Sequence, residues 1–301
     1  MAAIELEGLT KRYGGKRGVE DLTLEVGEGE IFGFIGPNGA GKTTTLRTML
    51  GLLRPTSGTA RLLGRNVVEE GPRSRVGIGY AGGETHLYDD LAVGALLAWV
   101  GRFHGGDCSP RRAELADTLG LDLGARTTDL SLGNRKKVAL VAALQHRPRL
   151  VLLDEPTNGL DPVVQAHLFE VLREEARGGT TVFFSSHVLS EVQRVCARVA
   201  VLTEGRLTAL ESVAALRGKQ VRRVKTRLPS AAPDSLATLP GVTALVREGN
   251  ALSFLYAGAM TPLLQALAAH SPEEVQIEEP SLEEIFLGHY AVSKSEAAHV
   301  R

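Results

Sequence analysis

Apolar residues in the first two thirds of the chain fall into short unbroken runs: Ile31-Phe32-Gly33-Phe34-Ile35, Leu150-Val151-Leu152-Leu153, Thr181-Val182-Phe183-Phe184 and residues 199–202. Continuous runs of this length suit strands buried on both faces of a parallel sheet. Between them, residues 44–50 and 135–144 carry apolar positions at helical spacing, and Ser131 stands where the second helix needs an N-cap. The segment near residues 90–130 is mainly helical in pattern, including the apolar stretch 91–100. Trp99 within it is expected to pack in the core. Glu204-Gly205-Arg206 reads as a hairpin turn and residues 210–217 as a short helix. Strands separated by helices predict a parallel α/β core, preceded by a β-rich lobe.

After Gly218 the texture changes. Residues 221–228 alternate basic and apolar side chains, as a half-buried strand does. A short helix is expected at 234–239, a hairpin of strands 242–246 and 252–256 around Glu248-Gly249-Asn250, a helix at 261–269 and a strand at 274–278. The order β-α-β-β-α-β predicts a small α+β unit of ferredoxin-like topology. The expected domains are therefore 1–218 and 219–301.

Composition narrows the function classes. The charged fraction is 23% and the formal net charge −1, so no global field favours nucleic acid or an acidic membrane surface. Two cysteines, Cys108 and Cys196, are too few for a disulfide framework and lack metal-like spacing, so each reads as a small buried apolar residue or an idle thiol. The start, Met1-Ala2-Ala3-Ile4-Glu5-Leu6-Glu7, has no basic region leading into an apolar core, so no signal peptide is expected. No run approaches the ~18 apolar residues that would span a bilayer.

The chemistry begins at Gly36-Pro37-Asn38-Gly39-Ala40-Gly41-Lys42-Thr43, a G-x-x-x-x-G-K-[ST] loop between an apolar strand and a helix that starts near Thr44. Its glycines let backbone N–H groups turn toward phosphate oxygens, and the helix start adds partial positive charge. Lys42 supplies a point charge for the β- and γ-phosphates, and the Thr43 hydroxyl is a magnesium ligand. A second constellation closes the run 150–153 with Asp154-Glu155-Pro156. A carboxylate at the end of a buried strand beside a phosphate loop suits the Mg²⁺-supporting acid of a P-loop NTPase, and Glu155 is then set to polarise an attacking water. The Lys136-Lys137 pair is expected on the solvated side of its helix.

Leu130-Ser131-Leu132-Gly133-Asn134 resembles the signature of ATP-binding-cassette proteins, whose common form is Leu-Ser-Gly-Gly-Gln. The resemblance implies that Ser131, Gly133 and Asn134 meet the γ-phosphate of ATP held by an opposite subunit. It further implies that Tyr13 stacks on adenine, that Asn158-Gly159-Leu160-Asp161 follows the catalytic glutamate, and that His187 senses the γ-phosphate. Two departures stand out. Leu132 replaces the first signature glycine and Asn134 the glutamine. The loop Tyr80-Ala81-Gly82-Gly83-Glu84-Thr85-His86-Leu87-Tyr88 lacks the glutamine that family members place there, with Gly83 or Glu84 in the equivalent position. Ser281-Leu282-Glu283-Glu284, after Pro280, has the spacing of a helix-opening capping box. The run from Glu279 to Phe286 resembles the C-terminal extension of ATPases that serve bacterial type-2 exporters.

The resemblance thus implies a P-loop ATP-binding-cassette domain with a helical subdomain, using ATP and Mg²⁺. It implies a homodimer with ATP at the interface, held peripherally at the cytoplasmic face of a bacterial membrane by a separate integral membrane permease. Drug, antibiotic, lipid and sodium export all fit, with drug-like, antibiotic or lipophilic cargo slightly preferred by the resemblance, and no nucleic-acid partner is expected. The competing class is a soluble mechanoenzyme of DNA repair, chromosome organisation or translation. Those relatives carry two cassettes, long coiled coils or zinc motifs, and none is visible here. A third reading makes residues 219–301 a ligand- or protein-binding regulator.

Overall fold

The computed structural model describes residues 2–14, 16–218, 221–229 and 234–278. The elements run β1 (Ala2–Tyr13), β2 (Lys16–Gly27), β3 (Ile31–Ile35), α1 (Lys42–Met49), β4 (Ser57–Leu62), β5 (Arg65–Asn66), β6 (Ile78–Ala81), α2 (Val93–Gly101), α3 (Ser109–Leu119), α4 (Leu132–Leu144), β7 (Leu150–Asp154), α5 (Pro162–Arg177), β8 (Thr181–Ser186), α6 (Leu189–Val195), β9 (Arg198–Thr203) and β10 (Arg206–Ser212). After these come α7 (Val213–Gly218), β11 (Val221–Arg227), α8 (Asp234–Ala237), β12 (Val242–Glu248), β13 (Ala251–Ala257), α9 (Met260–Ala268) and β14 (Glu274–Glu278). The chain divides into two compact units, Met1–Val213 and Ala214–Arg301.

The first unit holds two sheets. One is antiparallel, ordered β2-β1-β4-β5. The other is ordered β10-β9-β3-β8-β7-β6, with every pairing from β9 to β6 parallel. Its central strands β3, β7 and β8 are buried at every residue, which explains why they are written as unbroken apolar runs. At their centre the Phe183 ring stacks on Phe32, centroids 5.7 Å apart, and meets Phe34 at a tilt, centroids 5.1 Å apart. Parallel register sets Ile35 beside Ser186 and Asp154 beside Ser185, so the C-terminal ends of β3, β7 and β8 open at one edge. This is where an α/β sheet offers a ligand crevice. Glu204 and Gly205, both at positive φ, turn β9 into β10.

Three expectations within this unit need correcting. The chain stays extended through Ser212, and the helix at 213–218 begins later than its apolar content indicated. Trp99 is not core. It is 45% exposed and meets Tyr88 and Phe103 edge-on, with centroids 5.7 and 5.1 Å away. One face of α2 is therefore apolar without being covered among the described residues. Lys136 is not solvated. At 2% exposure it is among the most buried charges of the unit, while Lys137 is the one that stays near the surface. Cys108 and Cys196 are both buried, unpaired thiols, as expected, and burial pushes the Cys196 thiol far up.

The second unit is an antiparallel sheet ordered β12-β13-β11-β14, with α8 and α9 inserted in the expected β-α-β-β-α-β sequence. Val224, Leu252, Phe254, Tyr256, Leu263 and Leu267 form its core. The helix expected from Ser281 and the stretch 279–286 lie outside the described residues.

Candidate active site

The phosphate loop connects β3 to α1, and its conformation demands glycine. A Cβ on Gly36 would lie 2.3 Å from the Leu202 carbonyl oxygen. Gly41, the N-cap residue of α1, has φ +107°, and a Cβ there would lie 2.7 Å from the Gly18 carbonyl oxygen. Pro37 and Ala40 close the loop, the Ala40 N–H donating to the Pro37 carbonyl at 3.1 Å. Asn38 and Gly39 sit exposed at its tip, and the Thr44 carbonyl accepts from the Thr48 hydroxyl at 2.7 Å. No side chain caps α1 and its first turn carries no acid, which leaves its positive end available to an anion.

Five predicted side chains meet in front of that helix. Lys42 Nζ donates to the carbonyls of Gly36 (2.6 Å) and Pro37 (3.2 Å). It also stands 3.1 Å from Glu155 Oε1, close enough to pair charges but off the line a hydrogen bond needs. The Thr43 hydroxyl donates to Asp154 Oδ2 at 2.8 Å. His187 Nδ1 lies 2.8 Å from Glu155 Oε2. The five arrive from three places in the fold: Lys42 and Thr43 from the start of α1, Asp154 and Glu155 from the end of β7 and just beyond, and His187 just after β8. Asp154 is 1% exposed, so its charge depends on these partners rather than on water.

One partner had not been anticipated. Ser185 Oγ donates to Asp154 Oδ1 at 2.7 Å and accepts from the Glu155 N–H at 3.2 Å. The signal was a hydroxyl pair, Ser185-Ser186, ending a strand that is otherwise apolar. Glu155 itself has φ +47°, an unusual backbone for a residue with a side chain. The Asp154 carboxylate and the Thr43 hydroxyl fit magnesium as hard oxygen ligands 2.8 Å apart. Among the described residues no cluster of three or more His, Cys, Asp or Glu side chains could cage a metal.

The remaining predicted residues lie outside this cluster. Tyr13 ends β1, half exposed, and approaches the loop through Gly18: a Cβ on Gly18 would lie 3.0 Å from the Tyr13 ring and 2.6 Å from the Lys11 carbonyl. Lys11 Nζ stands 5.4 Å from the Tyr13 ring centroid. Ser131 caps α4, its hydroxyl accepting from the Asn134 N–H at 3.3 Å. A Cβ on Gly133 would lie 2.5 Å from the Gly159 carbonyl oxygen, so glycine is required for α4 to approach that loop. Leu132 is 71% exposed beside it. No hydrogen bond or ion pair among the described residues joins Ser131, Gly133 or Asn134 to the phosphate loop. Asp161 caps α5, its Oδ1 accepting from Val163 and Val164 N–H at 3.0 Å, and the Val164 bond first holds its carboxyl below the usual range. Of the two candidates near the missing glutamine, Glu84 is exposed and pairs with His86 at 3.7 Å. Gly83 is the one beside the acid, since a Cβ there would lie 3.5 Å from Asp154 Oδ2.

Residues 19–158 match the family model of the ABC transporter. The chain is 34% identical, over 95% of both chains, to a daunorubicin resistance ATP-binding protein of Streptomyces coeruleorubidus. The chain belongs to the ABC transporter ATP-binding proteins. It is likewise 33% identical to a Nod factor export ATP-binding protein I of Cupriavidus pinatubonensis, across 95% of this chain and 90% of that one. A solved ATP-binding subunit of an ABC transporter superposes with TM-score 0.67 at 29% identity, covering 71% of this chain and 92% of the other. The chain is thus an ATPase of the ABC family, with the P-loop fold that the family shares.

Proposed function

We propose that this ABC ATPase powers export of a drug-like, antibiotic or lipophilic cargo through a separate membrane permease. The observation that carries the hydrolytic part is the single cluster formed by Lys42, Thr43, Asp154, Glu155 and His187. Lys42 neutralises the phosphates and moves off the loop carbonyls to do so. Thr43 and Asp154 would hold Mg²⁺, whose charge would offset the negative charge of the phosphates. Glu155 orients the attacking water and accepts its proton. His187 keeps the Glu155 carboxylate directed by its contact at Oε2 and touches the γ-phosphate. Tyr13 stacks on adenine, and the loop residues Gly36 to Gly41 with Thr44 wrap the phosphates.

Ser131, Gly133 and Asn134 complete the site of a second copy of this chain, with Asp161 bordering the same interface. Their separation from the phosphate loop within one chain supports that division of labour. Binding ATP then joins two copies, and hydrolysis lets them part, a motion passed to the permease. Export and the cargo class rest on the named relatives. A peripheral place at the cytoplasmic membrane face agrees with the finding that no helix among the described residues is long and apolar enough to cross a bilayer. Residues 219–301 form an accessory or regulatory domain.

The test is purification of the tagged full chain from detergent-solubilised membranes of its own cell. An integral membrane protein co-purifying in fixed ratio, and ATPase activity lost in Lys42→Ala, are the expected results. ATPase activity without any such partner would favour a non-transport ATPase instead.

A further inference from the structure

We propose that Lys136 is a positioning residue for ATP hydrolysis, fixing the peptide unit between Asp154 and Glu155 so that both carboxylates point into the site. The proposal rests on the hydrolytic reading above. Lys136 lies on the core-facing side of α4, and its ammonium has three donors. All three find backbone oxygens: Gly82 at 2.9 Å, Asp154 at 3.1 Å and Gly83 at 3.3 Å. Burial pulls the Lys136 ammonium down to about 8, against the opposing pull of the Asp154 and Glu155 carboxylates.

The bond to the Asp154 carbonyl matters most. That oxygen and the Glu155 N–H belong to one peptide unit, and the N–H is held on the other side by Ser185, at 3.2 Å to both Oγ and the backbone oxygen. Glu155 follows at φ +47°, a conformation that costs a non-glycine residue free energy and persists only where its surroundings impose it. Lys136 on the oxygen and Ser185 on the nitrogen are those surroundings. Rotation of this peptide would swing the Glu155 side chain away from Lys42 and His187, and would shift Asp154 against Thr43. The other two bonds anchor the Gly82-Gly83 turn, which has no amide side chain of its own nearby, against the same acid. Because α4 also carries Ser131, one ammonium links the signature helix, the glycine turn and the acidic strand end.

The test is steady-state ATPase kinetics of the full chain with Lys136→Met, which keeps the stem and removes the donors, beside Glu155→Gln. A residue that only supports the fold would lower the melting temperature and leave kcat of the folded protein unchanged. A positioning residue lowers kcat by up to about 10²-fold while KM for MgATP and the melting profile stay near wild type. Lys136→Gln, which retains an amide donor, should fall between Lys136→Met and wild type. It also decides the matter by the same readout if Lys136→Met does not fold. Wild-type kcat in a folded Lys136→Met protein overturns the proposal, as does failure of both variants to fold. Wild-type turnover in Glu155→Gln would instead refute the hydrolytic reading itself. An inactive Glu155→Gln with unimpaired Lys136→Met sinks only the role of Lys136.

Discussion

Replacing Glu155 by glutamine separates binding from chemistry. The amide keeps the size of the side chain and can still present an oxygen or nitrogen to His187 Nδ1, now 2.8 Å from Oε2. Lys42 loses its charge partner at 3.1 Å but retains the Gly36 and Pro37 carbonyls at 2.6 and 3.2 Å. Folding stability should therefore fall by only about 1 kcal/mol, the scale of one net hydrogen-bond or charge contact. On the proposed mechanism, turnover depends on what the amide lacks, a carboxylate able to accept a proton. Losing a general base costs roughly 10²- to 10⁴-fold, so about 2.7 kcal/mol or more of transition-state stabilisation disappears. Thr43 and Asp154 are untouched, so MgATP should still bind. The protein should then accumulate as an ATP-joined dimer. Phosphate release, equilibrium nucleotide binding and size-exclusion profiles with and without MgATP report the three quantities separately. Turnover near the wild-type rate would refute Glu155 as the base. An inactive variant that binds ATP yet stays monomeric would keep the base and remove the ATP-driven clamp.

Lys42→Ala should lose most ATP affinity, because the ammonium in the phosphate cluster is gone; equilibrium binding of a fluorescent nucleotide checks this. Mixing Lys42→Ala with Ser131→Arg subunits should restore ATPase activity above either variant alone, since each mixed pair contains one intact shared site; activity no higher than the better single variant argues against sharing. His146, stacked on His104 at 3.6 Å, is pushed down to about 4 by burial, then by its neighbour. Its unfolded form binds a proton near pH 6.5, so stability is fully present above that pH and declines as pH falls toward 4. Urea midpoints at pH 7 and pH 4.5 should differ less in His146→Phe than in wild type, and an equal difference would refute the assignment.

Much of this molecule is legible in its sequence because burial on two faces leaves a plain mark. Strand β3 and the interiors of β7 and β8 are apolar runs, and the candidate site gathers residues at and just beyond the C-terminal ends of these strands. The motif octapeptide and the Asp154-Glu155 pair need no long-range knowledge, since each is local and chemically specific. For Lys136 the relevant mark is equally local. Its type points to solvent, yet its spacing to Leu140, Ala143 and Leu144 sets it on the buried face of α4. Trp99 failed in the opposite direction, an aromatic assigned to the core by type and left half exposed on α2. Ser185 carried no distinguishing mark beyond a hydroxyl in an apolar strand. Its role depends on the register between β7 and β8, which no local pattern encodes.

The pairing of Thr43 with Asp154 joins residues 111 positions apart. The helices α2, α3 and α4 lie between them in sequence, so this contact forms only after that intervening stretch is gathered in and β3, β8 and β7 have aligned in parallel. Closing such a loop costs entropy before any contact repays it, and non-local parallel pairing is slow to form. The candidate nucleotide crevice accordingly exists only once the central sheet has closed. ATP then acts on the folding equilibrium as well as on work. At about 100 times its dissociation constant a ligand confined to the native state adds about 2.7 kcal/mol. A chain whose central sheet has not closed lacks the Thr43–Asp154 contact and gains none of it, so nucleotide favours the closed sheet by mass action.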